Sequence, residues 1–469
     1  MARLDPAALA AWCNGRWQHM PQESITGVGH DSRTIQPGQL YVALRGPQHD
    51  GHDFVAACFA QKAAAALVDA AYAQTAPDTQ SLLAVADTRA ALMQLAQGHR
   101  TTSQAVVVGI TGSVGKTTVK ELVADMLAQQ GAVTRTRANW NNDIGLPLSL
   151  LDLLPDDRFG VFEIGMNHPG ELQPLCDVLQ PDHAILTPIG PAHLEHFDSV
   201  TAIAEEKATL LRALAAPGRA VLSVDDPYYP ILRSACDADV IRVSLSATDV
   251  DYAGTWNPGA DPFITVKEKA TGATYRYPLP LPGRFMADNA LRAVAMARSL
   301  GISADRLAEA LRNYRAPAMR WREEWVGDIL FINDAYNANP LSMRAAVDAF
   351  VGMEVAGRKW LVLAGMRELG GGERQAHLEL GRYLARSAWG GVITSGAMGQ
   401  WILEGLQEEV INAPYPVYAC ADSDAASARL QRDVQPGDAV LLKASRGEAL
   451  ERVVEAFKCS AAASSIGKD

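Results

Sequence analysis

The sequence predicts an α/β protein with three domains. A chain of 469 residues exceeds what one hydrophobic core usually organises, and about 150 residues per domain leaves room for three. Short apolar runs alternate with helical stretches, which is typical of parallel sheets covered by helices. Polar residues 100–104 interrupt this alternation, and the pattern restarts after Pro317. We therefore expect domains at residues 1–103, 104–316 and 317–469.

The first domain is expected to be a small α/β unit, because residues 39–44 read as a strand and residues 55–66 and 89–98 as helices. In the central domain the strand candidates are residues 105–110, 161–164, 184–186 and 220–224, and the helix candidates are 116–129, 202–215 and 289–300. The third domain is expected to be Rossmann-like, with strands at residues 329–332, 360–363, 391–394 and 439–442. We expect the small polar tail, residues 460–469, to fray.

The composition excludes several classes of protein. With 48% hydrophobic and 20% charged residues the chain reads as an ordinary globular protein, and a net charge of −11 leaves no basic excess for nucleic-acid binding. Six scattered cysteines without CxxC spacing favour reduced thiols. Because neither a signal pattern nor a run of ~20 apolar residues is present, we expect a cytoplasmic protein without a membrane span. A monomer is the default expectation.

The strongest chemical signal is a glycine loop between a predicted strand and a predicted helix. Glycines let backbone N–H groups surround phosphate oxygens, and the helix that follows presents its positive end. Lys116 can reach the β- and γ-phosphates, and the Thr117 hydroxyl can hold Mg²⁺. A structural turn without ligand is the alternative. The loop residues are Gly112, Ser113, Val114, Gly115, Lys116, Thr117 and Thr118.

Two further polar residues follow buried strands of the same predicted sheet. Glu163 ends one strand at the carboxyl edge, where open α/β sheets bind ligands, and is a candidate metal ligand; a capping or ion-paired glutamate is the alternative. His193 follows the strand at residues 184–186 and could complete a site for a hard cation, although a lone histidine is more often structural.

Taken together, these motifs resemble the Mur ligase family over nearly the whole chain. The asparagine-rich residues Asn139, Asn141 and Asn142 look like the segment that approaches the muramoyl substrate. The resemblance places Glu163 and His193 as magnesium ligands, two ions in all. It also assigns Lys207 as a carbamylated lysine in the metal site, whereas Lys207 taken in isolation would be expected at the surface.

The ends of the chain carry the resemblance further. Ser32 and Arg33 precede a Pro-Gly turn and a strand, and look like the family's uridine-diphosphate-binding domain. Residues 333–340 look like the signature of the branch that adds D-alanyl-D-alanine, and the chain lacks the Asp-Asn-Pro-Arg loop of the diamino-acid-adding branch. The implied contacts are Asn289, Arg320 and Asp334 with ATP, and Tyr336, Asn337, Asn339, Lys443, Ser445 and Arg446 with substrate.

The resemblance implies an ATP-dependent amide ligase of cell-wall synthesis that joins D-alanyl-D-alanine to UDP-N-acetylmuramoyl-tripeptide through an acyl phosphate. Lys116, His193 and Lys207 are the implied catalytic residues. One departure is that Phe285 and Met286 stand where the family has a His-Asn pair. A folylpolyglutamate-type ligase should lack the Asp31–Arg33 segment, and a binding-only descendant should have lost Lys116, Glu163 or Lys207.

Overall fold

The computed structural model describes residues 3–410 and 413–466, and in it three β-sheets occupy consecutive parts of the chain. The first sheet has five strands, the second nine and the third six. Their strands lie within residues 16–85, 106–278 and 322–443. The predicted class, three α/β domains, is confirmed; the domain boundaries at residues 103/104 and 316/317 stay predictions.

The first domain is built from short elements. Its strands are β1 (Arg16–Trp17), β2 (Val28–Gly29), β3 (Leu40–Val42), β4 (Ala65–Asp69) and β5 (Leu82–Val85). Its helices are α1 (Pro6–Trp12), α2 (Val55–Ala60), α3 (Ala70–Thr75) and α4 (Thr88–Thr102). The strand order is β1-β5-β4-β3-β2, with β1 antiparallel to β5 and the other pairs parallel.

One expectation for this domain needs correction. The helix predicted at residues 55–66 ends at Ala60, and Ala65–Asp69 form the central strand β4. Alanine favours helices, but this run is buried between two neighbouring strands, and burial outweighs propensity. The polar residues 100–104 begin within α4, which ends at Thr102. Arg100, at the end of α4, is buried and donates to Leu179 O at 3.1 Å and Gln180 O at 2.9 Å, which fastens the helix to the central domain.

The central domain follows the predicted alternation. Its strands are β6 (Val106–Thr111), β7 (Val133–Arg135), β8 (Phe159–Glu163), β9 (His183–Leu186), β10 (Arg219–Ser223), β11 (Asp239–Ser244), β12 (Tyr252–Asn257), β13 (Phe263–Glu268) and β14 (Thr274–Pro278). Its helices are α5 (Lys116–Leu127), α6 (Gly145–Leu150), α7 (Leu172–Leu179), α8 (Val200–Lys207), α9 (Thr209–Arg212), α10 (Tyr229–Ser234), α11 (Arg284–Ser299) and α12 (Ala304–Asn313).

The sheet order is β14-β13-β12-β11-β10-β9-β6-β8-β7, parallel from β7 to β12 and antiparallel from β12 to β14. Helices α5, α11 and α12 cover one face, and α6, α7 and α9 cover the other. The sequence analysis missed the antiparallel extension. It also predicted one helix over residues 202–215, whereas the chain breaks after Lys207 into α8 and α9.

The third domain has the expected Rossmann-like alternation. Its strands are β15 (Arg322–Val326), β16 (Ile329–Asn333), β17 (Lys359–Leu363), β18 (Gly391–Ser395), β19 (Val417–Cys420) and β20 (Ala439–Lys443). Its helices are α13 (Pro340–Gly352), α14 (Glu373–Leu384), α15 (Gly396–Glu409), α16 (Ser423–Asp433) and α17 (Arg452–Ile466). The strand order is β15-β16-β20-β17-β18-β19. Among the described strands of this third sheet, only the β15–β16 pair is antiparallel.

α17 continues to Ile466, so most of the tail at residues 460–469 is described as helix; its fraying stays a prediction. Residues 467–469 lie outside the described residues. No described helix has the length and apolar character needed to cross a bilayer.

Candidate active site between the domains

A cavity of about 930 Å³ opens where the three domains meet, and all three contribute to its lining. Most residues singled out in the sequence face it. They are Ser113, Val114, Gly115, Lys116, Thr117, Thr118, Asn139, Asn141, Asn142, Glu163, His193, Asn289, Arg320, Asp334, Tyr336, Asn337, Asn339, Lys443, Ser445 and Arg446. Gly112, Lys207, Ser32 and Arg33 are not part of the lining.

The glycine loop joins β6 to α5 with the geometry that phosphate binding needs. Gly112 has φ +151°, and a Cβ there would lie 2.0 Å from Thr187 Oγ1. Gly115 has φ +87°, and a Cβ would lie 2.5 Å from Asn289 Oδ1. Only glycine fits either position without a shift of its neighbours. The loop therefore delivers the chain to the positive N-terminal end of α5 at the cavity.

Glu163 lies at the end of β8, beside the first turn of α5. Its side chain is buried, with Thr117 Oγ1 donating to one carboxylate oxygen and Asn141 Nδ2 to the other, each at 2.8 Å. These partners are a hydroxyl and an amide, and Glu163 neither caps a helix nor forms an ion pair within the described residues; its role as a metal ligand stays a prediction. The hydroxyl and carboxylate together form a set of oxygen atoms of the kind that Mg²⁺ prefers.

Two lysines lie near this carboxylate, Lys116 half-buried at the cavity and Lys207 fully buried. Lys116 Nζ donates to Gly112 O at 2.9 Å, and burial lowers the pKa of Lys116. Lys207, at the end of α8, is 1% exposed, and its Nζ has only the thioether sulfur of Met166 at 3.2 Å as a described partner. Burial first, and then the charge of Lys116, hold the pKa of Lys207 well below its ordinary value. The surface position that Lys207 would be given in isolation is therefore wrong.

His193 lies at the boundary between the central and third domains. Its backbone is left-handed, with φ +57°, a conformation that is strained for residues other than glycine. Its Nδ1 is 2.6 Å from Glu368 Oε2, an ion-pair distance without the alignment of a hydrogen bond. His193 therefore reaches the cavity, but its described partner is a carboxylate of the third domain.

The third domain presents a cluster around the ends of β16 and β20. Lys443 Nζ donates to Asp334 Oδ2 at 2.6 Å and to Asn337 O at 3.2 Å. The Arg320 guanidinium stacks on the Tyr336 ring, with 4.1 Å between Cζ and the ring centroid. These contacts fix residues 334–337 against the cavity. The Lys443 ammonium is thus already held by the protein.

The two third-domain asparagines that were predicted to contact substrate, Asn337 and Asn339, also bind backbone groups. Asn337 Oδ1 accepts from Ala338 N at 2.8 Å. Asn339 caps α13 by accepting from Ser342 N at 2.8 Å, in a reciprocal capping box. Each oxygen atom therefore already accepts one hydrogen bond, and the Nδ2 groups can donate to a ligand. Ser445 Oγ accepts from Arg367 N at 3.0 Å, and Arg446 pairs with Glu451.

In the first domain the predicted residues lie away from the cavity. Arg33 is largely exposed and pairs with Asp31 at 2.7 Å, which lowers the pKa of Asp31 to about 2. Ser32 O accepts from Gln61 Nε2 at 2.9 Å. The lining residue of this segment is His30, whose ring packs edge-on against Trp140 with centroids 5.7 Å apart. The role of Ser32 and Arg33 in uridine binding stays a prediction.

Sequence reasoning missed several lining residues from all three domains. Phe285 and Trp321 pack against each other, with centroids 5.7 Å apart, and both face the cavity. The departure from the family pattern at Phe285 was the available signal for this pair. Other lining residues carried no signal in the sequence; they include Arg284, Asp288, Asp348, Arg367 and Glu368.

Within the described parts of the chain, no three His, Cys, Asp or Glu side chains converge on one point. The predicted metal set is of another kind, because it combines a hydroxyl, one carboxylate, one imidazole and a lysine. Thr117 and Glu163 meet the requirement for hard oxygen donors, whereas Lys207 as an ammonium or amine does not.

A mononucleotide-binding loop facing a cleft between three α/β domains defines a class of nucleotide-dependent enzyme. Family models match the chain as "Mur ligase family, catalytic domain" over residues 24–100, "Mur ligase middle domain" over 110–297 and "Mur ligase, glutamate ligase domain" over 319–446. The UDP-N-acetylmuramoyl-tripeptide--D-alanyl-D-alanine ligase of Bacillus subtilis (strain 168) is 32% identical over 440 residues, which cover 92% of this chain and 93% of that protein.

Solved structures of Mur ligases also match this chain over most of its length. MurF from Acinetobacter baumannii matches with a TM-score of 0.86 at 28% identity, over 98% of this chain and 99% of that one. MurF ligase from Thermotoga maritima in complex with ADP matches with a TM-score of 0.80 at 25% identity, over 93% and 98%. The chain belongs to the Mur ligase family, and the family expected from the sequence is confirmed.

Proposed function

We propose that this chain is an ATP-dependent ligase that joins D-alanyl-D-alanine to UDP-N-acetylmuramoyl-tripeptide, giving the UDP-linked pentapeptide precursor of peptidoglycan. The observation that carries the proposal is the common cavity, which brings the phosphate loop, Glu163 and the segment from Asp334 to Asn339 together. The Bacillus subtilis relative named for this reaction supports it. The first domain, which a folylpolyglutamate-type ligase was expected to lack, is present.

The reaction needs ATP because a carboxylate is unreactive toward an amine at neutral pH. A carboxylate oxygen of the tripeptide attacks the γ-phosphorus, ADP leaves, and an acyl phosphate results. The amine of D-alanyl-D-alanine then attacks the acyl carbon, and phosphate leaves with the loss of one proton from the amine. Phosphoryl transfer of this kind is catalysed mainly by positioning and charge, so no covalent enzyme intermediate is needed.

The phosphate loop and Lys116 are assigned to ATP. The N–H groups at the start of α5 and its helix dipole face the cavity, and Lys116 lies at the same helix end. The Thermotoga maritima relative whose structure contains ADP supports nucleotide binding here. Asn289 faces Gly115 across the loop, and Arg320 and Asp334 approach from the third domain. These positions suit contacts with the nucleotide.

Thr117, Glu163 and His193 would hold Mg²⁺, with two ions expected. Bound Mg²⁺ would neutralise charge on the phosphoryl group being transferred. Thr117 and Glu163 already lie 2.8 Å apart through their oxygen atoms. Lys207 fits only after modification. Burial and the charge of Lys116 lower the pKa of its amine, which favours the neutral form that reacts with CO₂ with loss of a proton, and the carbamate would supply an anionic oxygen ligand.

We assign the UDP-linked tripeptide and D-alanyl-D-alanine to different domains. UDP is assigned to the first domain through Ser32 and Arg33, and the tripeptide to the loop that carries Asn139, Asn141 and Asn142. D-alanyl-D-alanine is assigned to the third domain, where the Nδ2 groups of Asn337 and Asn339 can donate to its peptide carbonyl. Arg446 is the better partner for its carboxylate, because its side chain is 57% exposed and pairs with Glu451 through Nη1, whereas the Lys443 ammonium is buried and held by Asp334. We place the reaction in the cytoplasm and expect a monomer.

A competition assay tests the proposal. The enzyme is given ATP, Mg²⁺ and UDP-muramoyl tripeptide or dipeptide, with D-alanyl-D-alanine, diaminopimelate and lysine all present, and the products are resolved by mass spectrometry. The expected product is the tripeptide extended by D-alanyl-D-alanine alone. Addition of a diamino acid to the dipeptide would contradict the proposal, as would phosphate release from ATP that no amine changes.

A further inference from the structure

A second lysine on α5, this one fully buried, has no part in the mechanism above. Lys120 lies one turn beyond Lys116, and its side chain is completely buried. Its Nζ donates to Thr136 O at 2.8 Å and to Ala138 O at 3.1 Å, and it lies 2.6 Å from Glu121 Oε1. A buried ammonium is costly unless all its N–H groups are paired, and here three acceptors surround it. Lys207, equally buried, has no such set.

The two carbonyl groups belong to the loop between β7 and α6, which carries the substrate-facing asparagines. Ala138 has φ +44°, in the left-handed region that residues other than glycine seldom adopt. That conformation turns its carbonyl group toward the α5 lysine. The ammonium therefore stabilises a strained backbone turn directly before Asn139.

Both ends of the same loop form hydrogen bonds with Glu163, one with its backbone N–H and one with its carboxylate. Glu163 N donates to Thr136 Oγ1 at 2.8 Å. Five residues further along the chain, Asn141 Nδ2 donates to Glu163 Oε1 at 2.8 Å, and Gly165 N donates to Asn141 O at 2.9 Å. A shift of the loop would therefore move the partners of Glu163.

The loop also contacts the first domain. Trp140 packs on His30, and the Asp143 carboxylate accepts from Arg89 Nη2 at 2.8 Å. The turn held by Lys120 thus lies between the helix of the phosphate loop, the Glu163 carboxylate and the domain assigned to UDP.

We propose that Lys120 is a positioning residue of the ligase, which holds the loop of residues 136–142 on α5 so that its asparagines meet the muramoyl substrate and support Glu163. The inference rests on the proposed function, since it concerns the same reaction. Lys120 does not touch ATP or the reacting atoms. It acts through the backbone of Thr136 and Ala138, and its loss should affect the muramoyl substrate more than the nucleotide.

The test compares Lys120→Met, which keeps the length and removes every donor, with Lys120→Gln, which keeps two N–H donors. Arg135→Met is the matched control: it removes the ion pairs to Glu121 and Asp125 on the same face of α5 but leaves the carbonyl groups bound to Lys120. Steady-state kinetics give KM for UDP-muramoyl tripeptide and for ATP. Hydrogen exchange by mass spectrometry follows the peptide that covers residues 136–142.

We expect Lys120→Met to lose about 10- to 100-fold in kcat/KM for the tripeptide substrate, with the KM for ATP within about threefold of wild type. Exchange should rise in residues 136–142, Lys120→Gln should recover part of the loss, and Arg135→Met should stay within about twofold of wild type. Equal losses for both substrates, unchanged exchange in the loop, or no difference between the Met and Gln variants would overturn the proposal. If Lys120→Met does not fold, Lys120→Gln takes its place. Its kinetic loss must then be larger for the tripeptide substrate than for ATP, and equal losses would overturn the proposal.

Wild-type protein in the same assay separates the two hypotheses. Wild type that joins D-alanyl-D-alanine, beside a Lys120→Met variant that behaves identically, overturns the positioning role alone. Wild type that does not carry out this ligation overturns the proposed function.

Discussion

Replacing Lys443 by methionine should destabilise the third domain because it leaves a carboxylate without its counter-charge. The Lys443 side chain is 3% exposed and that of Asp334 is 19% exposed. Removing one partner of a buried ion pair typically costs about 3–5 kcal/mol. Asp334 keeps some solvent and a hydrogen bond from Trp321 N, so we place the cost at the lower end, about 3 kcal/mol. The same change removes the donor to Asn337 O.

The assay is thermal and urea-induced unfolding of the wild type and Lys443→Met, with the transition of the third domain followed by tryptophan fluorescence. For a domain of about 150 residues, 3 kcal/mol corresponds to a fall in Tm of roughly 6–12 °C. Lys359→Met is the matched control, because Lys359 also lies on this sheet but donates to a single described acceptor, Val351 O at 2.6 Å. It should cost about 1 kcal/mol or less.

A double-mutant cycle with Asp334→Asn identifies the cause. If the unpaired carboxylate is responsible, Asp334→Asn in the Lys443→Met background should recover part of the loss. A cost below about 0.5 kcal/mol for Lys443→Met, or a cost equal to that of the Lys359 control, would refute the reasoning.

Three further predictions concern the site and its support. Lys116→Ala should abolish ligation but leave the affinity for the UDP-tripeptide nearly unchanged, as measured by calorimetry; a large loss of that affinity would contradict the separate assignment of the two sites. Lys207→Ala should be severely impaired and regain activity with short-chain carboxylic acids if a carbamate is the working form; no recovery, together with a wild type indifferent to bicarbonate depletion, would refute this. Buried His377 accepts from Met366 N at 2.8 Å and donates to Glu373 O at 2.6 Å, and burial lowers its pKa. Its contribution to stability should be complete above pH ~6.5 and decline as the pH falls toward the lowered folded-state pKa, because the unfolded chain binds the proton first. Urea midpoints between pH 7.5 and 5 should therefore fall more steeply for wild type than for His377→Gln, and equal slopes would contradict it.

The pattern of neighbouring residues was enough to predict those elements of the fold that depend on residues close together in the chain. The strand, glycine loop and helix around Lys116 were predicted within two residues of their observed bounds, because apolar runs and glycine positions are local properties. The pattern did not separate α2 from β4, since alanine-rich stretches suit either element when both faces are buried. The pattern also did not predict the helix break after Lys207, a lysine that is buried in the structure.

The sequence by itself determined the fold class, the family, the phosphate loop and the residue types of the candidate site. These depend on periodicity, on glycine spacing and on motifs that stay recognisable without coordinates. Only the tertiary structure decided what each side chain still has to offer: Lys443 and the two asparagine oxygens are already bound within the protein, Lys207 is buried beside a thioether, and Lys120 is buried among carbonyl groups. The physical reason is that burial and hydrogen-bond partners come from residues distant in the chain, and these set both the protonation and the availability of a polar group.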